Sequence, residues 1–282
     1  MPNVKAYRKR NVSPFRKIAI GTWQNAYDPS IHGHMTLRAD AMMAYIDAFR
    51  ASTGRKLTVT QVVAKATALA LRACPESNAF LRFNHVYIRE SIDVSVLVMM
   101  QDPHGNIDLS SAKITQADQK SLIQIMDELE SKVQLIRTRK DTSLEHARNS
   151  MKWIPAWAMN MFLKTLSFIM YSLNIDMSRF KLPRDAFGGA IVTSIGPLGL
   201  DSGYPPIVPY SRVGVYVAPG EVYWGAVVEE GQVVARRLIT VNATLDHRIV
   251  DGAHCAQLAK TLRAVIENPF EYLDACTAQK AS

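Results

Sequence analysis

Residues 245–252 read Leu-Asp-His-Arg-Ile-Val-Asp-Gly and join two stretches of opposite character. Before them, residues 238–244 are rich in β-branched side chains, which favour an extended chain. After them, residues 253–267 carry Leu258, Leu262 and Ile266 at a spacing of four, the pattern of a helix with one buried face. His247 is therefore expected at a strand-to-helix turn. An imidazole titrates near neutral pH and is well suited to moving protons. Asp251 lies four residues on, close enough for a turn to fold its carboxylate toward the ring, and Gly252 permits a tight entry to the helix. A lone histidine in such a place more often satisfies buried backbone groups. The whole run Asp-His-Arg-Ile-Val-Asp-Gly favours a chemical role instead.

The rest of the chain reads as one α/β domain. It has 282 residues, 48% of them hydrophobic, and no Gly/Ser/Pro-rich linker divides it. Residues 1–12 are expected to form a basic, solvated tail, and residues 13–282 a single domain. The formal charge of +8 suits an anionic partner: a phosphorylated cofactor, a nucleic acid or a membrane surface. Basic and aromatic residues are not interleaved on one element, which argues against nucleic acid. Cys74, Cys255 and Cys276 are too widely spaced for a disulfide framework or a metal site. Cys255 is close enough to His247 to raise a cysteine–histidine pair, although a small core residue is the simpler reading. His32 and His34 share a strand face, and no cysteine or carboxylate nearby completes a metal site. Met1 is followed by polar and basic residues rather than a signal peptide, so the expected compartment is the cytoplasm.

Taken in order, residues 13–25 open with Ser13-Pro14, a helix-start pattern. Residues 31–37 contain His32 and His34 and then a short strand-like stretch, and residues 39–53 read as a helix closed by Gly54. Thr58 and Gln61 make a capping box for an almost uniformly apolar helix over residues 59–73. Residues 85–88 and 92–100 read as strands, and residues 102–106 as a turn. Ser121 and Gln124 form a second capping box, opening a helix to about residue 137. Residues 151–184 stand apart, because residues 153–173 are almost wholly apolar. Lys164 near their middle argues against a bilayer span. Asn160, Lys164, Ser167 and Tyr171 form a polar stripe on that helix. It would pack on a subunit or the core, cap a substrate entrance, or lie on a membrane surface. Residues 188–200 lead from a strand through Thr193-Ser194 into a Gly/Pro turn. Residues 213–218, 221–228 and 232–241 read as three successive strands.

The stretch at 245–252 resembles the His-Arg-x-x-Asp-Gly signature of dihydrolipoamide acyltransferases, the core components of 2-oxo acid dehydrogenase complexes. It also resembles the looser signature of chloramphenicol acetyltransferase and its relatives. Residues 57–70, Pro75-Glu76-Ser77-Asn78-Ala79 and Ala117-Asp118-Gln119-Lys120-Ser121-Leu122 extend the likeness, which runs from about Phe15 onward with the interruption at 151–184. The resemblance implies a chloramphenicol acetyltransferase-like mixed β-sheet flanked by helices, here with a helical insert. It implies trimers or trimer-based cages whose active site lies between subunits. It implies acyl transfer between coenzyme A, or another thioester carrier, and a thiol or hydroxyl acceptor. His247 would be the general base, and Asp251 would order its loop. A hydroxyl would serve the oxyanion, and the count falls on Thr193 from one side and leaves Ser194 open from the other.

Full-length family members carry a lipoyl domain and a peripheral-subunit-binding module, which this sequence is expected to lack. A lipoyl group would then arrive in trans, or the chain would be a free-standing acyltransferase that uses acyl-CoA or an acyl carrier with another acceptor. The family's channel-lining Pro-Val-Ile is replaced by Ile107-Asp108-Leu109-Ser110-Ser111, which leaves the acceptor unnamed. Two other classes compete: a non-catalytic trimeric scaffold, and a binding protein of the membrane surface.

Overall fold

The computed structural model describes residues 2–9, 28–101, 107–138 and 154–274. The helix expected at 13–25, the turn at 102–106 and Cys276 lie outside the described residues. Nine strands, β1 (Ala6–Arg8), β2 (Ser30–Arg38), β3 (Ala79–Arg82), β4 (His85–Arg89), β5 (Val94–Gln101), β6 (Ile107–Ile114), β7 (Ala190–Val192), β8 (Val215–Glu229) and β9 (Gln232–Asp246), form two sheets among the described residues. The larger is mixed, in the order β2-β9-β8-β7-β5-β6, with β7 parallel to both neighbours. The smaller is antiparallel, in the order β1-β4-β3.

The helices include α1 (Asp40–Thr53), α2 (Val59–Ala73), α3 (Leu122–Arg137), α4 (Ala156–Ser167) and α5 (Gly252–Glu267). α1 ends on Gly54 at φ 69°, a backbone conformation that glycine adopts without strain. α2 and α3 start on the capping boxes expected of them, at Thr58/Gln61 and Ser121/Gln124. Every residue from Val62 to Leu71 is buried, so α2 is the central post of the core, packed against α5 and the sheet.

One of those buried residues is a lysine. The Lys65 ammonium donates to the carbonyls of Ala117, Asp118 and Lys120 at 3.2, 2.8 and 2.7 Å. It thereby ties the turn before α3 to the core, and burial lowers its pKa. Residues 117–122 thus resemble the family motif at a place where a tight turn must offer three carbonyls to one cation.

The strands differ from expectation in several places: β1, β3 and β6 were not expected as strands, and two others are redrawn. Residues 213–218 and 221–228 are not separate strands; β8 runs unbroken from Val215 to Glu229. Pro219-Gly220, which punctuates the sequence, makes a bulge where the register with β9 shifts. A side chain at Gly220 would collide with the Asp201 carbonyl, so glycine here serves a close backbone approach. β9 likewise continues past Val241 to Asp246.

The basic tail is also corrected over residues 2–9. Asn3 and Val4 are buried, and β1 pairs with β4. The Asn174 side chain brackets Val4 by accepting from its N–H at 2.8 Å and donating to its carbonyl at 3.1 Å. The insert contains α4 followed by a wider turn at Phe168–Ser172. Its polar stripe divides: Asn160 and Lys164 are exposed, whereas Ser167 and Tyr171 turn inward. Ser167 accepts from Arg212 at 3.0 Å, and Tyr171 donates to Asp185 at 3.2 Å. Asp185 is paired with buried Arg89 at 2.9 Å. Among the described residues, no helix is long and apolar enough to cross a membrane.

Candidate active site

β9 ends where its neighbours still hold it. The Asp246 N–H donates to Gly214 O at 2.9 Å and the His247 N–H to Pro29 O at 3.0 Å. The chain then bends sharply, with the N–H groups of Ile249 and Val250 both donating to Asp246 O at 2.9 Å. Arg248 folds back on the buried Asp246 carboxylate through Nε at 2.9 Å and Nη2 at 2.6 Å. A paired, fork-like contact of this kind fixes direction as well as charge.

His247 is half-buried on this bend. Its Nδ1 lies 2.9 Å from Val250 O. A carbonyl only accepts, so Nδ1 carries the proton and Nε2 of the neutral ring is the basic nitrogen. Asp251 closes the loop as the cap of α5, accepting from the N–H groups of Ala253 at 3.0 Å and His254 at 3.2 Å. Its Oδ1 also meets His254 Nδ1 at 2.6 Å, and His254 Nε2 meets Glu76 Oε2 at 3.0 Å. Hydrogen bonds from Lys9 and then His254 lower the Glu76 pKa. His254 therefore clasps the loop that carries His247 to the turn after α2. The sequence reading missed it. The signal was present as Asp-x-x-His across a helix start, a spacing that puts both side chains on one turn.

The two faces of the large sheet differ. Val241 and Leu245 of β9 point toward α2 and α5, in the main core. Thr240, Asn242, Thr244 and Asp246 alternate onto the other face and are all buried. His32 joins this polar face through Thr244 at 3.2 Å, and His34 meets Tyr204 at 2.9 Å. An apolar cavity of about 370 Å³ lies on the helix side, walled by Gly33, Thr67, Ala243, Cys255 and Ala259 among others. His247 is not among its walls, and Cys255 is. The cysteine thus faces the apolar layer.

Thr193 continues the alternation of β7. Ile191 packs with Val213 and Tyr216, away from the main core, whereas Ala190 and Val192 belong to it. The ladder persists past the strand, since Thr193 N–H donates to Val217 O at 3.0 Å and Ile195 N–H to Pro219 O at 3.1 Å. Thr193 therefore lies on the polar face and Ser194 on the helix side. The register also sets their distance from His247. Thr193 is level with Ala218 and Asn242, four residues along β9 from Asp246 and two strands across. At about 3.3 Å per residue and about 4.8 Å per strand, the hydroxyl turn and the histidine turn of one chain are roughly 16 Å apart. Within one chain they do not meet. The preceding Gly-Gly pair is explained by close packing: a side chain at Gly189 would strike Asn78, and Gly188 lies at φ 72° against Asp93.

Comparison with known proteins agrees with this architecture. The family model of the 2-oxoacid dehydrogenases acyltransferase catalytic domain matches residues 4–151 and 171–273. The mitochondrial dihydrolipoyllysine-residue acetyltransferase component of the pyruvate dehydrogenase complex of Saccharomyces cerevisiae is 27% identical over 77% of this chain and 37% of its own. Component 3 of the same complex in Arabidopsis thaliana is 26% identical over 92% of this chain and 39% of its own. The chain thus spans about two fifths of the length of these curated relatives. Among solved structures, the cubic core of a pyruvate dehydrogenase multienzyme complex superposes with a TM-score of 0.63 at 20% identity, covering 94% of this chain and 93% of that one. A dihydrolipoamide acetyltransferase from Azotobacter vinelandii, studied for the role of a serine, a histidine and an asparagine in its catalytic mechanism, gives 0.63 at 18%, covering 94% and 95%. Chloramphenicol acetyltransferase gives 0.51 at 12%, covering 96% and 100%, and the fold is of that kind.

Proposed function

From the membership of this chain in the 2-oxoacid dehydrogenase acyltransferase catalytic-domain family, we propose that it transfers an acyl group between coenzyme A and a thiol acceptor, with His247 as general base. The observation that carries the reading is the 2.9 Å contact of His247 Nδ1 with Val250 O, which assigns the basic lone pair to Nε2. Nε2 takes the proton of the attacking thiol as its sulfur bonds to the thioester carbonyl carbon. The carbonyl electron pair moves to oxygen, and a hydroxyl stabilises that charge. Collapse breaks the original carbon–sulfur bond, and the imidazolium returns the proton to the departing thiolate. No acyl-enzyme intermediate is required.

The hydroxyl in this reading is Thr193 of a neighbouring copy. Its place on the polar face favours it over Ser194, and the separation of roughly 16 Å within one chain calls for a second subunit. Asp251 holds the start of α5 and so positions the loop. The acceptor is a dihydrolipoyl group supplied in trans or the thiol of an acyl carrier, and the assembly is a homotrimer or a cage of trimers. Dihydrolipoamide and acetyl-CoA test the chemistry. Thiol exchange should be measurable, and His247→Ala should lower kcat by at least about 100-fold. Equal rates in the two proteins would leave only a scaffold.

A second reading concerns the insert, because the family match omits residues 152–170. There α4 exposes Trp157 (82%) and Met161 (67%), with Phe168 beyond them. Lys164, Arg179 and Lys181 are exposed in the same segment, and their charge suits an anionic membrane surface. Co-sedimentation with phosphatidylglycerol vesicles should be lost in Trp157→Ser; vesicle binding that ignores this change would remove α4 from the contact.

A further inference from the structure

A second feature of the insert has no place in acyl transfer. An open cleft of about 790 Å³ lies where the N-terminal segment, the β3–β4 hairpin and the chain after Phe168–Ser172 converge. Three arginines line it: Arg82, Arg179 and Arg184. Among the described residues, one carboxylate lies in its wall, Asp176, which is engaged by Arg184 Nε at 2.8 Å. Neither Arg82 nor Arg179 has a carboxylate partner among the described residues. The Arg82 guanidinium lies beside the rings of Tyr87 (5.4 Å) and Phe83 (6.0 Å), which hold its plane. Its Nε is buried and has no hydrogen-bond acceptor among the described residues. A buried donor of this kind costs free energy unless something accepts from it.

Apolar side chains also stand at this cleft. Leu173 and Ile175 line it and stay nearly half exposed. Phe83, adjacent to Arg82, stacks edge-on with Phe168 at 6.1 Å, and both rings are exposed. Arginine forks match the oxygens of a phosphate, and exposed apolar side chains match a hydrocarbon tail.

The geometry points to this cleft as a binding site for the phosphate group of an amphiphile, with Arg82 and Arg179 as the principal donors and Arg184 assisting while it retains Asp176. The phosphate belongs to a membrane lipid headgroup or to a free phosphorylated molecule, and experiment separates the two sources. The inference does not depend on acyl transfer, because its readout is binding.

Isothermal titration of the full chain with inorganic phosphate, at constant ionic strength set with sodium chloride, gives the first arm. The same titration with dihexanoyl phosphatidic acid below its micelle concentration gives the second, and phosphatidic acid vesicles in phosphatidylcholine give the third. Saturable binding to phosphate and tighter binding to the short-chain lipid are expected. In Arg179→Gln, at an exposed position, and in Arg82→Gln, binding should weaken by about tenfold each, the loss of one charge-assisted contact. Vesicle binding that inorganic phosphate displaces identifies a headgroup. Phosphate binding without vesicle binding identifies a free molecule. Absence of saturable binding in every arm, or undiminished binding in both variants, overturns the proposal.

Discussion

The turn that carries His247 and the turn that carries Thr193 sit at strand ends of one sheet, yet they are built in opposite ways. The histidine turn is closed on itself. Arg248 is latched to Asp246, His247 to Val250 O, and Asp251 to the start of α5. The hydroxyl turn is an extension of the ladder, held by backbone bonds to β8 and followed by a Gly/Pro bend. One turn holds its imidazole in a single tautomer; the other continues the sheet ladder and puts Thr193 on the face that carries Thr240, Asn242 and Thr244. Within a single chain the two turns stay apart, and the proposed reaction draws on one from each of two copies.

This contrast sets the order of expected effects. Thr193→Val should lower kcat for acyl exchange by about 100-fold, the loss of one oxyanion donor, whereas Ser194→Ala on the other face should change it by less than about threefold. The reverse ranking would show that the alternation of β7 fails beyond Val192. Next, His254→Ala should lower kcat by about tenfold with KM unchanged, because it releases the Asp251 carboxylate without touching substrate. Hydrogen exchange of residues 246–254 should rise in that variant and be rescued by His254→Gln. Unchanged exchange would show that the loop holds without the clasp.

Smaller effects concern the scaffold behind both turns. Lys65→Met strands three carbonyls and should cost about 1–3 kcal/mol in denaturant unfolding. A neutral result would mean that the relieved desolvation of the ammonium offsets them. Acid should also reveal the lysine-held Glu128. Burial raises its pKa, but hydrogen bonds from Lys120 and Lys132 prevail, and the net shift is downward. A carboxylate with a depressed folded pKa contributes stability above its unfolded value, and that contribution fades as pH falls through the folded one. Tm should therefore drop below about pH 4.5 less steeply in Glu128→Gln than in the natural chain. Parallel Tm curves would assign the acid sensitivity elsewhere.

Much of the scaffold was legible because its signals are local. The capping boxes at Thr58 and Ser121, the glycine after α1 and the β-branched run before His247 each act within a few residues. Pro219-Gly220 misled because punctuation in sequence marks either a turn or a bulge, and only the neighbouring strand decides. The basic residues near the chain start suggested solvent, but Val4 is claimed by Asn174, which lies 170 residues away and has no local signature. The opposite faces taken by Thr193 and Ser194 needed a register, since one residue of slip exchanges them. His254 went unseen because Glu76, its second partner, belongs to a different helix turn.

The central claim is that each reactive centre combines His247 of one copy with Thr193 of another. Co-expressing His247→Ala with Thr193→Val and assaying the mixed assembly tests it most directly. Random mixing should restore about a quarter of natural activity, because that fraction of seams pairs an intact histidine with an intact hydroxyl. Activity no higher than that of either variant alone would contradict a shared site.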